Sequence, residues 1–365
     1  MSLSVAIVGL PNVGKSTLFN ALLSKQQAFA ANYPFATIEP NVGIVPVPDE
    51  RLEKLAPIVN TTKLVPATVT FLDIAGLVKG ASLGEGLGNK FLSHIREASV
   101  ILHVVRAFAD PNVILTGSGD AVEDYLTIET ELQLADLSTL EKAKNGKTRL
   151  KDEKKEKFIT KLYDWLELGK SVRELELDDE EKNIVERELF LLTYKPQMWA
   201  MNADEAVAQS HSDTVSQFVN KLREHGISGI QANDVVVICA KLEEELAGFE
   251  GSERLEYLKS AGIERTGLET LIAAAYKRLG LMSFLTAGEL EVRAWTIPVG
   301  CIAPDAAGVI HTDFVKHFIS ARVCSYTDFV ELKGWKGAAE KGKMRTEGKT
   351  YVMQEGDVVE FMIGK

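Results

Sequence analysis

Val5-Ala6-Ile7-Val8-Gly9-Leu10-Pro11-Asn12-Val13-Gly14-Lys15-Ser16-Thr17-Leu18-Phe19-Asn20 opens on four apolar residues, passes through a glycine-rich turn and continues with apolar residues at helical spacing. The turn satisfies G-x-x-x-x-G-K-[ST], and its place between a strand and a helix separates a phosphate-binding P-loop from a chance match. Each part has a physical reason. Gly9 and Gly14 let successive backbone N–H groups close around a phosphate, and the helix adds partial positive charge from its N-terminus. In such a turn Gly9, Asn12, Val13, Gly14, Lys15, Ser16 and Thr17 surround the phosphates. Lys15 pairs with the β- and γ-phosphates and Ser16 ligates Mg²⁺.

Outward from this turn, strands are predicted at Val42–Val47, Ala67–Asp73 and Val100–Val105, then at Gln197–Met201 and Asp234–Cys239 after a long interruption. Alternation of short apolar strands with helical segments points to an α/β fold, a mostly parallel sheet with helices on both faces. Asp73-Ile74-Ala75-Gly76 ends the third strand and sets an acid at the carboxyl edge of the sheet, where Asp73 can hold Mg²⁺ through water and Gly76 can present its N–H to a γ-phosphate. Lys15, Asp73 and Gly76 are therefore the candidate catalytic groups. Between the two motifs lies a proline-bracketed loop, Asn32–Pro40, whose Thr37 is the candidate second Mg²⁺ ligand, drawn in only when the γ-phosphate is present.

The interruption has no strand signal. Ile128, Leu132, Ala135 and Thr139 are followed by Phe158, Leu162 and Trp165 at helical spacing, which predicts a pair of inserted helices broken at Asn145-Gly146. Glu141–Lys157 carries eight basic and four acidic residues, read either as a solvated hairpin tip or as a docking surface for a polyanion. From about Leu281 the pattern changes to short β segments around one helix: Glu291–Ile297, then Phe314–Ser320 with Thr312 as a candidate N-cap, then Ala321–Ser325 and Asp357–Ile363. Glu331–Lys349 adds six basic against three acidic residues around Trp335, a loop that serves RNA or is merely solvated. The expected parts are a nucleotide-binding domain at 1–128 and 196–280, a helical insert at 129–195 and a small mixed domain at 281–365.

A length of 365 residues accommodates these parts, and 45 % apolar with 25 % charged residues argues against a disordered, collagenous or membrane-embedded chain. The formal net charge of −11 weakens any blanket nucleic-acid binding, so only local basic patches could serve it. Cys239, Cys301 and Cys324 share no metal-ligand spacing and read as buried reduced thiols, which implies a cytoplasmic setting. The start of the chain lacks the features of a signal peptide or membrane span, and no membrane partner is expected.

Taken together, Gly9–Asn20, Tyr33–Gly43, Asp73–Ala81 and Gly84-Glu85-Gly86-Leu87-Gly88 resemble the Obg-like P-loop NTPases of Ras-like fold, and within them the YchF family. The carboxy-terminal part, with Ile302–Ala307 and Gly356–Phe361, looks like a TGS domain, a β-grasp module. The resemblance spans the chain and implies ATP hydrolysis with Mg²⁺, a coiled-coil insert, and association with ribosomes or their large subunit.

Base choice can be argued from the fifth strand. A guanine-selective protein of this kind shows N-K-x-D there, whereas this chain has Met201-Asn202-Ala203-Asp204-Glu205. Ala203 removes the lysine, and Glu205 in the last place is one methylene longer, so the paired geometry that rejects adenine is lost. Asn202 is then expected to bond adenine N6 and N7. Cys239-Ala240-Lys241 resembles the last base-side loop. ATP is favoured over GTP, with a true GTPase as the alternative and an RNA-binding scaffold with a structural nucleotide site as the other. A small-molecule kinase lacks a second substrate motif. Where a Ras-like switch has a water-orienting Gln, this chain has Leu77, so slow turnover is expected. His94, His103, a K⁺ ion held partly by Asn12, or a partner's group are the candidate substitutes. His103 also reads as a satisfied core histidine and His94 as a surface one.

Overall fold

A computed structural model of the chain describes residues 3–32, 41–74, 87–111, 113–114, 117–145, 153–205, 207, 211–227, 229–249, 251–261 and 263–364. It divides into two units, 1–45 with 70–275 and 46–69 with 276–365.

In the first unit, strands β1 (Ser4–Val8), β2 (Val42–Pro46), β4 (Thr68–Asp73), β5 (Val100–Ala107), β6 (Gln197–Ala203) and β7 (Val235–Ile238) form one sheet in the order β2-β4-β1-β5-β6-β7. All five residues of β1 are buried, as a central parallel strand covered on both faces requires. β1 runs parallel to β4 and β5, and β5, β6 and β7 follow in parallel, with Ala6 opposite Leu72 and Ile101, and Ala107 opposite Ala203. The turns after β1, β4, β5 and β6 therefore gather on one edge. Helix α1 (Lys15–Asn32) packs with helix Ala240–Ala247. On β5, β6 and β7, Val105, Trp199, Met201 and Val235 are buried against Tyr125, Phe218 and Leu222 from two other helices.

Those two are α4 (Ala121–Asn145) and His211–Glu224. α4 spans the expected boundary at residue 129 without a break: its first turns bury Val122 and Tyr125 in the sheet core, and its end packs Leu140 with Phe158, Ile159, Leu162 and Leu166. The last four lie on α5 (Glu153–Glu167); Gly146 of the expected Asn145-Gly146 break lies outside the described residues. At 25 residues α4 is about 37 Å long.

In the second unit, β8 (Leu281–Ala287), β9 (Val292–Pro298), β10 (Phe318–Ser325), β11 (Arg345–Glu347) and β12 (Asp357–Ile363) form a mixed sheet in the order β11-β10-β12-β8-β9, extended at β9 by β3 (Leu64–Val65). Residues 46–69 thus lie with the carboxy-terminal sheet, not with the nucleotide-binding part where the sequence boundary put them. Leu64 pairs with Val292, and Arg51 on the short helix α2 (Glu50–Leu55) donates to Glu355 at 2.6 Å. The helix expected at Phe314–Ser320 is present in part, as the short helix Asp313–His317, but a longer one precedes it. That longer helix is Ala303–Ile310, with Pro304 in its first turn, and Phe318–Ser320 begin β10. Thr312 makes no side-chain cap. The basic loop contains helix Trp335–Glu340 and β11, and the half-buried Trp335 meets Phe329 edge-on at 5.1 Å.

Of the cysteines only Cys324 is buried; Cys239 and Cys301 are half-buried, each ending or following a strand where the chain turns outward. Among the described residues, no helix is long and apolar enough to cross a membrane.

Candidate functional site

The P-loop is built by two backbone positions in the left-handed region, Asn12 at φ +63° and Gly14 at φ +97°. Only glycine fits at position 14, where a Cβ would stand 2.1 Å from Asn202 Nδ2; at Gly9 one would stand 2.6 Å from the Val104 carbonyl oxygen. The turn then passes into α1, whose ladder starts with Leu18 N–H donating to Gly14 O at 2.9 Å. Lys15 arches back over this turn and donates to Leu10 O at 2.7 Å, with only 8 % of the residue exposed. Burial lowers its pKa to about 8, and the Asp73 carboxylate opposes that shift.

Asp73 ends β4 half-buried, its backbone fixed by donation to Asn41 O at 2.9 Å. Its Oδ1 is buried without a hydrogen-bond partner among the described residues. Burial raises the Asp73 pKa while Lys15 pulls it down. Ser16 is exposed in the first turn of α1. A carboxylate oxygen lacking a partner, together with a serine hydroxyl, is a hard oxygen donor set that suits Mg²⁺. The other two groups expected here, Thr37 and Gly76, and the Leu77 that stands where a water-orienting Gln would, lie outside the described residues.

On the base side, Asn202 takes a different role from direct bonding to adenine. Its Nδ2 donates to Val13 O at 3.0 Å and its Oδ1 accepts from Ala240 N–H at 3.0 Å. Only 7 % exposed, it fastens the P-loop to the loop after β7. Ala203 is buried, so its position offers no side chain to cover a base. Asp204 turns aside and accepts from Ala109 N–H at 3.3 Å, whereas Glu205 is exposed, with Tyr257 Oη 3.5 Å away. Cys239 is the half-buried N-cap residue of the helix Ala240–Ala247, its thiol pKa raised by burial; Lys241 is exposed beside it. The structure thus brings Lys15, Ser16 and Asp73 to one end of the edge and Glu205, Ala240 and Lys241 to the other, with Asn202 tying the halves.

Asn12 Nδ2 donates to Ile114 O at 3.2 Å, a tie to the turn after β5 that the motif itself does not signal; the order of the strands is what makes it expected. Of the two histidines, His94 is exposed on α3 (Leu87–Glu97). His103 is a core residue but not a satisfied one: both ring nitrogens lack partners among the described residues, and the ring sits edge-on to Tyr125 at 4.9 Å and stacked on Trp199 at 6.0 Å. Burial drives its pKa to about 3, so it is neutral at pH 7.

Residues 4–135 match a family described as 50S ribosome-binding GTPase, and residues 281–364 match the YchF-GTPase carboxy-terminal family, described as a protein of unknown function. Over 99 % of both chains the sequence is 49 % identical to the "Ribosome-binding ATPase YchF" of Bacillus subtilis and 48 % identical to the protein of the same name in Escherichia coli O157:H7. The solved structure of the Schizosaccharomyces pombe YchF GTPase superposes with a TM-score of 0.84 at 35 % identity, covering 99 % of this chain and 97 % of that one.

Proposed function

The chain belongs to the YchF family, and from that membership and the geometry of its P-loop edge we propose that it is a Mg²⁺-dependent ATPase that works as a nucleotide switch on the ribosome. The observation that carries the chemistry is the convergence of Lys15 with a buried Asp73 oxygen that has no partner among the described residues. Lys15 gives up the Leu10 carbonyl for the β- and γ-phosphates. Ser16, Asp73 and Thr37 are the residues that would hold Mg²⁺, which supplies neutralisation of the charge developing on the transferred phosphoryl group. Gly76 is the residue whose N–H would meet the γ-phosphate. With Leu77 unable to orient water, intrinsic turnover is slow.

Adenine is favoured because no lysine covers the base and the terminal acid is Glu205; Asn202 holds the two loops at a fixed separation whichever base is bound. The solved relative from Schizosaccharomyces pombe is called a GTPase, which favours the alternative in which GTP is the substrate.

The relatives' names carry the ribosome, and the large subunit is the component named by the family that matches residues 4–135. In this reading the protein is cytoplasmic, and a nucleotide-binding part (1–45, 70–128 and 196–275), a helical insert (129–195) and a TGS part (276–365, with 46–69) divide the work. RNA contact falls to the basic stretches 141–157 and 331–349. Several lysines of the first are already paired, as Lys154 is with Glu180 at 2.5 Å and Lys157 with Glu153 at 2.6 Å.

Steady-state ATP turnover with and without 70S ribosomes, for wild type and Lys15→Ala, tests the proposal. Ribosome-stimulated turnover lost in the variant is the expected result. Turnover no faster than the uncatalysed rate, with ribosome co-sedimentation indifferent to Lys15→Ala, would instead make the protein a scaffold.

A further inference from the structure

α3 (Leu87–Glu97) is the first described helix after Asp73, so what happens to the chain at Gly76 reaches it directly. Phe91, Leu92 and Ile95 bury one face of it. Its far end is held by Lys195, which is 7 % exposed and donates to Arg96 O at 3.0 Å and to Ala98 O at 2.5 Å. A cation on the last carbonyls of a helix satisfies acceptors that have no partner within it and complements its dipole, so α3 stays a rod to its end. Arg96 reaches sideways from that end. Its Nη2 donates to Thr139 Oγ1 on α4 at 3.1 Å, which joins the helix after the switch to the helix that enters the insert.

α4 is fastened in two unlike ways. Glu129 on it is 2 % exposed and accepts from Arg173 Nη1 at 2.5 Å, from Gln197 Nε2 at 2.8 Å and from the Ser171 hydroxyl. Breaking that cluster would strand a buried charge, so α4 is fixed there. Thr139 lies ten residues on, about 15 Å along the helix axis. It is half-buried, and its hydroxyl donates to Ala135 O at 3.0 Å while it accepts from Arg96. A half-buried hydroxyl can exchange such an acceptor bond for water at small net cost, which makes it a contact that can open and close. Leu140 follows at once and begins the apolar seam with Phe158, Ile159 and Leu162. The Arg96–Thr139 bond therefore sits between the fixed point at Glu129 and the seam that joins α4 to α5.

We propose that Arg96 is a positioning residue that couples the nucleotide switch to the helical insert: through its bond to Thr139, the state of α3 sets how α4 and α5 are held, and a partner on the hairpin acts back on α3. The proposal rests on the ATP-switch reading above and adds the route by which that switch is read. Coupling between two binding sites is reciprocal, so nucleotide changes the hold on the ribosome by the factor by which the ribosome changes the hold on nucleotide.

Hydrogen exchange of the full chain with and without Mg·AMPPNP, a non-hydrolysable ATP analogue, tests it on wild type, Arg96→Met, Thr139→Val and Thr139→Ser. In wild type, nucleotide should slow exchange in 87–97 and also in 136–145 and 153–166. Arg96→Met and Thr139→Val should keep the first change and lose the second, whereas Thr139→Ser, which retains the hydroxyl, should keep both. Mg·AMPPNP should shift the Kd for 70S ribosomes by about fivefold in wild type and Thr139→Ser and by less than about twofold in the other two, with ATP turnover in the absence of ribosomes within about twofold of wild type throughout. Should Arg96→Met not fold, the Thr139 pair makes the same comparison. A nucleotide effect on the insert that survives in Thr139→Val, is lost from Thr139→Ser as well, or is missing from wild type while 87–97 responds, would overturn the proposal and leave the ATP reading standing. A wild type in which Mg·AMPPNP alters exchange nowhere would overturn both.

Discussion

At the residue scale, Lys15 couples the site to pH. Its folded-state pKa of about 8 lies below the ordinary lysine value of 10.5 because burial disfavours the ammonium. A lowered lysine pKa means the empty site carries a cost that is full below pH 8, and the nucleotide-free fold gains stability as pH rises from 8 toward 10.5. Bound triphosphate reverses the preference by pairing with the ammonium. ATP binding at pH 8 to 9 should then take up a proton, and affinity should fall as pH rises through that range. Calorimetry in buffers of different ionisation enthalpy measures the uptake, and Lys15→Met, which leaves the similarly shifted Lys195 in place, should abolish it.

The same scale shows how far single residues can be read. Gly9, Gly14, Lys15, Ser16 and Asp73 are legible because each is demanded by the phosphate chemistry at a fixed spacing. Asn202 is legible as a member of its strand, but its role is not. Which atoms its amide reaches depends on Val13 and Ala240, 189 and 38 positions away in the chain, and no spacing rule encodes that.

At the scale of elements, buried polar groups hold the insert to the sheet. Asp136 on α4 accepts from Leu192 N–H and Thr193 N–H at 2.8 Å each and from Thr193 Oγ1 at 2.7 Å. Burial pushes its pKa up to about 6 against those bonds, and it fixes the turn that feeds β6. Lys195, next along, donates to Arg96 O at 3.0 Å and Ala98 O at 2.5 Å at the end of α3, and Arg96 donates to Thr139 on α4 at 3.1 Å. Asp136→Asn places an amide NH₂ among these donors, leaving one of them unmatched, and should destabilise the fold by about 1–3 kcal/mol, read as a lowered thermal midpoint.

Long, periodic elements are legible: β1, β5, β6, α4 and α5 follow their apolar patterns. Short ones are not. β3 has two residues, too few to show a period, and it is made a strand by pairing with Val292 and Arg293 far along the chain. Helix Ala303–Ile310 has eight residues, too few to show a clear helical period, so of the two helices in this region only Asp313–His317 falls in the expected stretch.

At the scale of the whole molecule, the net charge of −11 conceals two basic stretches, 141–157 and 331–349. In the second, Lys336, Lys341, Lys343 and Lys349 lie with Lys333 on the solvent side, the arrangement a phosphate backbone requires. Exchanging lysines for glutamate in either stretch should weaken ribosome co-sedimentation and reduce its dependence on salt, with ATP turnover in the absence of ribosomes near the wild-type value. Equal loss of turnover would show that the charges act through folding instead.

The base assignment rests on Ala203 and Glu205, since Asn202 is taken up by the two loops it joins and does not distinguish the bases. Equilibrium titration of the purified chain with ATP and GTP in the presence of Mg²⁺, with and without K⁺, measures it directly. Tighter binding of ATP by about tenfold, roughly 1.4 kcal/mol, is the result expected of this site. Tighter binding of GTP by the same margin would contradict it.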